Sequence, residues 1–273
     1  MARVENLFAV EGKSIVVTGA ASGIGLAIAE AMATNGAKVT MADRDEPAVN
    51  REAMRLRDAG YATTAMTADI TQDADVRRLF DSVIAHEGRL DVVFANAGIS
   101  GGPGFLRTDN SRNPDTAFEV IADELWDRVI DTNVHGVIRT LRAAIPQMKK
   151  QGGGKIVVTS SISSMKIEQY VGSSYVVSKA AVGQIVRQVA IELASYNINV
   201  NAIAPGPAIT NIGGGRLKDA AARAPFEKVN PMHRVATPED MQGAALFLAS
   251  RASDYITGIH IVIDGGLLLG QAD

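Results

Sequence analysis

The stretch Ser14-Ile15-Val16-Val17-Thr18-Gly19-Ala20-Ala21-Ser22-Gly23-Ile24-Gly25 decides how the rest of the chain reads. Its first half is a short β-branched run that fits a strand buried on both faces. Its second half sets Gly19, Gly23 and Gly25 between that strand and an alanine-rich helix ending near Asn35-Gly36, a C-cap signal. Glycine permits positive φ and lets backbone come close to a ligand. The helix start offers unpaired N–H groups and a positive dipole end, which suits a pyrophosphate. Gly19, Ser22, Gly23, Ile24 and Gly25 are therefore candidate contacts for a dinucleotide. The hydroxyls of Thr18 and Ser22 suit phosphate binding or helix capping equally well. The spacing is Gly-x-x-x-Gly-x-Gly, not the better-known Gly-x-Gly-x-x-Gly.

Working outward, residues 37–42 form the next expected strand, which ends at Asp43, eighteen residues past Gly25. An acidic residue there hydrogen-bonds ribose hydroxyls and repels a 2′-phosphate, so NAD is favoured over NADP. Arg44 stands next to it, where it could meet that phosphate. Beyond this point strands are expected near 62–66, 90–94, 155–159, 198–203 and 259–263. Helices are expected near 46–59, 72–87, 121–149, 172–195 and 238–250. This alternation predicts one α/β domain, a doubly wound Rossmann-type parallel sheet of about seven strands with helices on both faces. Two segments, near 99–118 and 210–236, break the rhythm with Gly, Pro and Asn. They follow strand C-termini, where open α/β sheets bind ligands, and are expected to contact substrate.

The 273 residues are 47% hydrophobic and 21% charged, enough apolar surface for a full core. A net charge of −3 carries no basic footprint, which argues against a nucleic-acid partner. The absence of cysteine excludes disulfides, zinc–thiolate sites and cysteine nucleophiles. His86, His135, His233 and His260 show no ligand spacing, so no metal is expected. Met1-Ala2-Arg3-Val4-Glu5-Asn6 has no apolar signal region. The uncharged run from Ser14 to Ala29 is broken by glycines, and that from Leu193 to Gly215 by Asn, Pro and Gly. Neither reads as a membrane span, and a soluble cytoplasmic protein is expected.

Tyr175-Val176-Val177-Ser178-Lys179 carries the candidate chemistry. Residues four apart on a helix share a face, about 5–6 Å apart at Cβ. Free tyrosine and lysine titrate near 10 and 10.4. At roughly 4 Å and an effective dielectric of about 20, the ammonium favours the tyrosinate by about 4 kcal/mol, or about three pKa units. Desolvation opposes this shift. The pair is a candidate acid/base poised near neutral pH.

With both motifs in view, the chain resembles the short-chain dehydrogenase/reductase family from about Leu7 to Leu267. Thr18 to Gly25 matches the family's glycine motif, and Ala68-Asp69-Ile70 its adenine-binding segment. Ala95-Asn96-Ala97-Gly98 matches its Asn-Asn-Ala-Gly element, with Ala95 in place of the first Asn. Asn133 corresponds to the family's mid-helix asparagine. Ser160-Ser161 ends the fifth strand where the catalytic serine is expected. Pro205-Gly206-Pro207-Ala208-Ile209-Thr210 fits the nicotinamide loop, and Tyr255 to Gly258 with Asp264-Gly265-Gly266 fits the C-terminal signature. Members usually place the serine thirteen residues before the tyrosine, which is Ile162 here, so Ser161 is chosen, with Ser160 and Ser163 as alternates.

The resemblance implies reversible hydride transfer between a nicotinamide and a secondary alcohol or its carbonyl. Tyr175 would exchange the proton, and Lys179 would lower its pKa and hold the nicotinamide ribose. Ser161 would donate to the reacting oxygen, and Asn133 would help a water connect Lys179 to solvent. Pro205, Gly206, Ala208, Ile209 and Thr210 would border the nicotinamide, with Asp69, Ile70, Asn96, Ala97 and Gly98 along the rest of the cofactor. The alternative is a non-catalytic dinucleotide-binding sensor or scaffold on the same fold. An enoyl reductase is disfavoured, since that branch resembles Tyr-x-x-x-Met-Lys. Arg107, Arg216 and Lys218 lie in or beside the variable loops and suit an acidic or polyhydroxy substrate such as a sugar or polyol, although solvated loop charges explain them as well. Small residues on the 121–149 and 172–195 helices, and the terminal run Leu267-Leu268-Leu269, lead us to expect a homotetramer.

Overall fold

The computed structural model describes residues 4–270. Strand β1 (Ser14–Thr18) is buried at all five positions, as its β-branched run requires. It feeds α1 (Gly23–Thr34), then β2 (Lys38–Asp43), α2 (Glu46–Asp58), β3 (Thr63–Thr67), α3 (Asp73–Glu87) and β4 (Val92–Ala95). The second half runs α4 (Asp123–Ile130), α5 (Gly136–Gln151), β5 (Gly154–Thr159), α6 (Ser173–Leu193), β6 (Ile198–Pro205), α7 (Ala220–Val229), α8 (Gln242–Ala249) and β7 (His260–Ile263).

All seven strands pair in parallel in the order β3-β2-β1-β4-β5-β6-β7. The chain reverses direction across the sheet between β1 and β4, which opens a crevice at their C-terminal ends. Side chains alternate across the sheet. Ile15, Val17, Met41 and Phe94 join Ile28, Met32 and Leu248 on one face. Val16 and Val93 join Phe80, Leu141 and Val182 on the other.

Each expected strand and helix is present within a few residues, with two differences. The helix expected over 121–149 is α4 and α5 joined by a π turn, Asp131–His135, which contains Asn133. The loop expected over 210–236 folds its middle into α7. A stretch with Gly213, Gly214 and Gly215, all at positive φ, precedes that helix.

Candidate active site

One cleft of about 1360 Å³ runs along the crevice, from Asp43 and Arg44 at one end to Tyr175 and the 212–226 segment at the other. Its floor is the glycine loop, and the two outer glycines are required by packing. A Cβ on Gly25 would fall 2.1 Å from the Gly19 carbonyl oxygen, and one on Gly19 2.8 Å from the Ala97 Cα. The loop backbone at Gly19 thus lies against the chain just past β4, and the first turn of α1 lies against that loop. Ser22 is the N-cap of α1, yet its side chain makes no capping hydrogen bond, which leaves the hydroxyl uncommitted. Of the two roles open to Thr18, phosphate contact or helix capping, its hydroxyl is engaged in neither and instead ties two strands. Its Oγ1 accepts from the backbone N–H groups of Asn96 and Ala97, at 3.1 and 3.2 Å, because β1 and β4 end side by side.

At the far end, the Asp43 carboxylate accepts from the N–H groups of Ala21 and Asp45, both at 3.0 Å. It braces the glycine loop as well as facing the cleft. Arg44, Asp69 and Ile70 line the same end, together with Ile24 and Gly23. Asp69 also accepts from the N–H and hydroxyl of Thr71, and Ile70 packs where a Cβ on Gly136 would be 2.5 Å from its Cδ1. Asn96 donates to the carbonyls of Thr18 and Gly19 and accepts from Thr159 Oγ1 at 2.9 Å, tying β1, β4 and β5 together.

Lys179 is buried, and its ammonium donates to the Thr159 carbonyl at 2.8 Å. Asn133 lies alongside. Its Oδ1 accepts from the Ile99 N–H at 2.8 Å, and its Nδ2 donates to the Ile99 carbonyl at 2.9 Å and to Ser178 Oγ at 3.1 Å. Gly98 allows this convergence, since a Cβ there would sit 3.2 Å from Asn133 Oδ1 and 3.7 Å from Lys179 Nζ. The Asn133 amide is therefore committed to protein, so a water beside Lys179 has no free donor or acceptor on that amide except the second lone pair of Oδ1.

Of the three serines, Ser161 is the one whose hydroxyl acts on the Tyr175 phenol, favouring its ionised form. It also accepts from the Ser163 N–H at 3.1 Å, and its Oγ lies 3.0 Å from that of Ser163. Ser160 Oγ is buried without a protein partner. The electrostatics depart from the expectation for the Tyr/Lys pair. Burial raises the Tyr175 pKa, Ser161 lowers it and the charge on Glu168 adds to the rise. Burial lowers Lys179 to about 8. The ammonium turns toward Thr159, 5.6 Å from the Tyr175 ring centroid, and it does not offset the desolvation of the phenol.

Pro205, Gly206, Ala208 and Thr210 line the cleft at the end of β6 and beyond it, whereas Ile209 does not. Thr210 lies over the glycine loop, 3.3 Å from where a Cβ on Gly23 would stand, and its Oγ1 accepts from the Ile212 N–H. Arg216 lines the cleft mouth, with its guanidinium 5.8 Å from the Phe226 ring centroid. Arg107 is committed inside its own loop, to the Arg112 carbonyl and Asn113 Oδ1, and Lys218 does not line the cleft. Sequence reading missed Glu168 and Tyr170, which do line it; the only signal was their position between Ser161 and Tyr175.

The cleft fits a nicotinamide dinucleotide. Its glycine floor opens the helix N-terminus to the cleft, an uncommitted serine hydroxyl stands at that helix start, and an acidic residue ends β2. A tyrosine, lysine and serine meet at the opposite end. Such a site defines a nicotinamide-dependent oxidoreductase of hydroxyl and carbonyl carbons. A family model described as enoyl-(acyl carrier protein) reductase matches residues 19–268. The chain is 35% identical over 261 residues, 95% of each chain, to 3beta-hydroxysteroid dehydrogenase 1 of Eggerthella lenta. It superposes with a TM-score of 0.86 on 7 alpha-hydroxysteroid dehydrogenase complexed with NADH and 7-oxo glycochenodeoxycholic acid, at 30% identity, covering 100% of this chain and 99% of the other. A gluconate 5-dehydrogenase from Burkholderia cenocepacia in complex with NADP and tartrate gives a TM-score of 0.86 at 31% identity, covering 98% and 99%. The chain belongs to the short-chain dehydrogenase/reductase family. Among the described residues no helix is long and apolar enough to cross a membrane.

Proposed function

We propose that this protein is a cytoplasmic, NAD-preferring dehydrogenase/ketoreductase of secondary alcohols, with Tyr175, Lys179, Ser161 and Asn133 as its working set. The observation that carries the reading is that Ser161, Tyr175 and Lys179 line the same cleft as the glycine loop. The bound dinucleotide supplies the hydride acceptor or donor. Gly19, Ser22, Gly23 and Gly25 hold its pyrophosphate, and Asp43 takes the adenosine ribose hydroxyls. Asp69, Ile70, Asn96, Ala97 and Gly98 border the middle, and Pro205, Gly206, Ala208 and Thr210 the nicotinamide end. In alcohol oxidation the Tyr175 phenolate takes the hydroxyl proton while Ser161 donates to the same oxygen; in reduction both donate. Lys179, close to losing its own proton near neutral pH, exchanges it with Tyr175. Asn133 positions Lys179 by fixing Ile99 and Ser178.

The four-residue spacing of Tyr175 and Lys179, with no Met-Lys pair following the tyrosine, supports alcohol chemistry over enoyl reduction. The relatives act on steroid and gluconate hydroxyls, which supports a cyclic or polyhydroxylated substrate. The acidic end of β2 supports NAD. A panel of secondary alcohols assayed with NAD and with NADP tests the reading. Turnover with NAD is expected, while NADH binding with no turnover of any alcohol or ketone would identify a sensor instead.

A further inference from the structure

Between Ser161 and Tyr175 the chain forms a loop that carries Glu168. Backbone contacts pin this loop to residues 101–106. The Leu106 N–H donates to the Gln169 carbonyl at 3.1 Å, the Gly172 N–H to the Gly102 carbonyl at 3.0 Å, and Pro103 bridges Val171. Two glycines make the approach possible. A Cβ on Gly104 would fall 2.2 Å from the Gln169 carbonyl oxygen, and one on Gly172 2.1 Å from that of Gly101. The backbone around Glu168 is therefore fixed, unlike that of an ordinary surface loop.

The Glu168 side chain is 14% exposed and lines the cleft that holds Ser161 and Tyr175. Among the described residues its ion-pair partner is Lys166, whose Nζ is 3.6 Å from Oε1. Charge-assisted hydrogen bonds are nearer 2.7–2.9 Å, so this partner is a loose one. Burial pushes the carboxyl pKa up, and Lys166 only partly opposes it. A carboxylate has about four acceptor positions, so most of those on Glu168 are left to whatever fills the cleft. A substrate that displaces water there without offering a donor leaves a buried charge unsatisfied.

We propose that Glu168 is a specificity-determining residue that accepts a hydrogen bond from a second substrate hydroxyl, so that the preferred substrates are uncharged diols or polyols rather than simple secondary alcohols. This rests on the hydride-transfer reading above. The test compares kcat/KM for cyclohexanol and for 1,2-, 1,3- and 1,4-cyclohexanediol in the wild type, Glu168→Leu and Glu168→Gln. In the wild type the best diol is expected to exceed cyclohexanol by about tenfold or more, as a hydrogen bond to a charged group supports. In Glu168→Leu the ratio is expected to fall to near one, and in Glu168→Gln, a weaker acceptor of the same shape, to lie between. The ratio is the readout because removing the charge also eases ionisation of Tyr175, which affects every alcohol alike. A wild-type ratio near one, or a ratio that survives in Glu168→Leu, overturns the proposal and leaves hydride transfer standing. Absence of all turnover, in oxidation and in ketone reduction, by protein that binds NADH overturns both. Should Glu168→Leu not fold, an unchanged ratio in Glu168→Gln is the overturning result.

Discussion

The ammonium of Lys179 is held by the carbonyl oxygen of Thr159, at 2.8 Å, on a side chain that is almost fully buried. One carbonyl does not replace the hydration of a cation, so burial brings the Lys179 pKa to about 8. Below that pH the lysine is charged in both folded and unfolded chains, and the fold bears the full cost of the buried charge. Between about 8 and 10.5 the unfolded chain keeps a proton that the native state has lost, so stability rises with pH. Lys179→Met is therefore expected to stabilise the ligand-free protein at pH 7, by up to roughly 3 kcal/mol. The advantage should shrink toward pH 10.5. Urea midpoints of both proteins at pH 7 and pH 10 check the sign; a variant less stable at pH 7 contradicts it.

Tyr175→Phe removes the phenol and leaves the ring. kcat is expected to fall by at least about 10²-fold, the lower bound for a general acid/base. NADH binding, followed by fluorescence, should persist. Normal kinetics in this variant would remove Tyr175 from the mechanism.

Asp43 is expected to set cofactor choice by repelling a 2′-phosphate. In the wild type kcat/KM should be higher with NAD than with NADP. Asp43→Asn keeps an acceptor for the Ala21 or Asp45 N–H, and should raise the NADP-to-NAD ratio by about tenfold, the effect of roughly 1.4 kcal/mol. A wild type that prefers NADP would show that Arg44 governs this end of the cleft.

Two glycine substitutions should behave oppositely. Gly25→Ala puts a methyl 2.1 Å from the Gly19 carbonyl oxygen, and should cost at least about 1–3 kcal/mol and abolish dinucleotide binding. Gly243→Ala lies in α8 with open space around it and should stabilise by about 0.5–1 kcal/mol. Thermal melts with and without NADH separate the two.

The C-terminal leucines bear on assembly. Asp264 caps the turn by accepting from the N–H groups of Gly266 and Leu268, which half-buries Leu267 and Leu268 and leaves Leu269 93% exposed. We expect a homotetramer in which this tail packs at a subunit boundary. A monomer mass by light scattering at micromolar concentration would rule it out.

Much of this architecture is legible in the sequence, and for particular reasons. β1 is readable because Ile15, Val16 and Val17 are consecutive β-branched residues buried on both faces of the sheet, and the glycine spacing marks where backbone touches backbone. Tyr175 and Lys179 are readable because four-residue spacing alone puts them on one helix face. The direction of the Lys179 ammonium is not, since it is decided by the Thr159 carbonyl across the cleft. Nor is the commitment of the Asn133 amide to Ile99 and Ser178, which needs the π turn to place it. Glu168 has no local signature at all. Its setting comes from contacts with residues some sixty-five positions earlier, at Gly101 and Gly104.

That glycine seam carries a consequence for redesign. Because Gly104 and Gly172 let two backbones touch, the segment after β4 and the one between Ser161 and Tyr175 form a single mechanical piece. Grafting either from a homologue alone would force a mismatch at the join and shift the neighbouring catalytic groups. New selectivity in this scaffold has to be transplanted as a matched pair of segments, or introduced by point changes that leave both glycines in place.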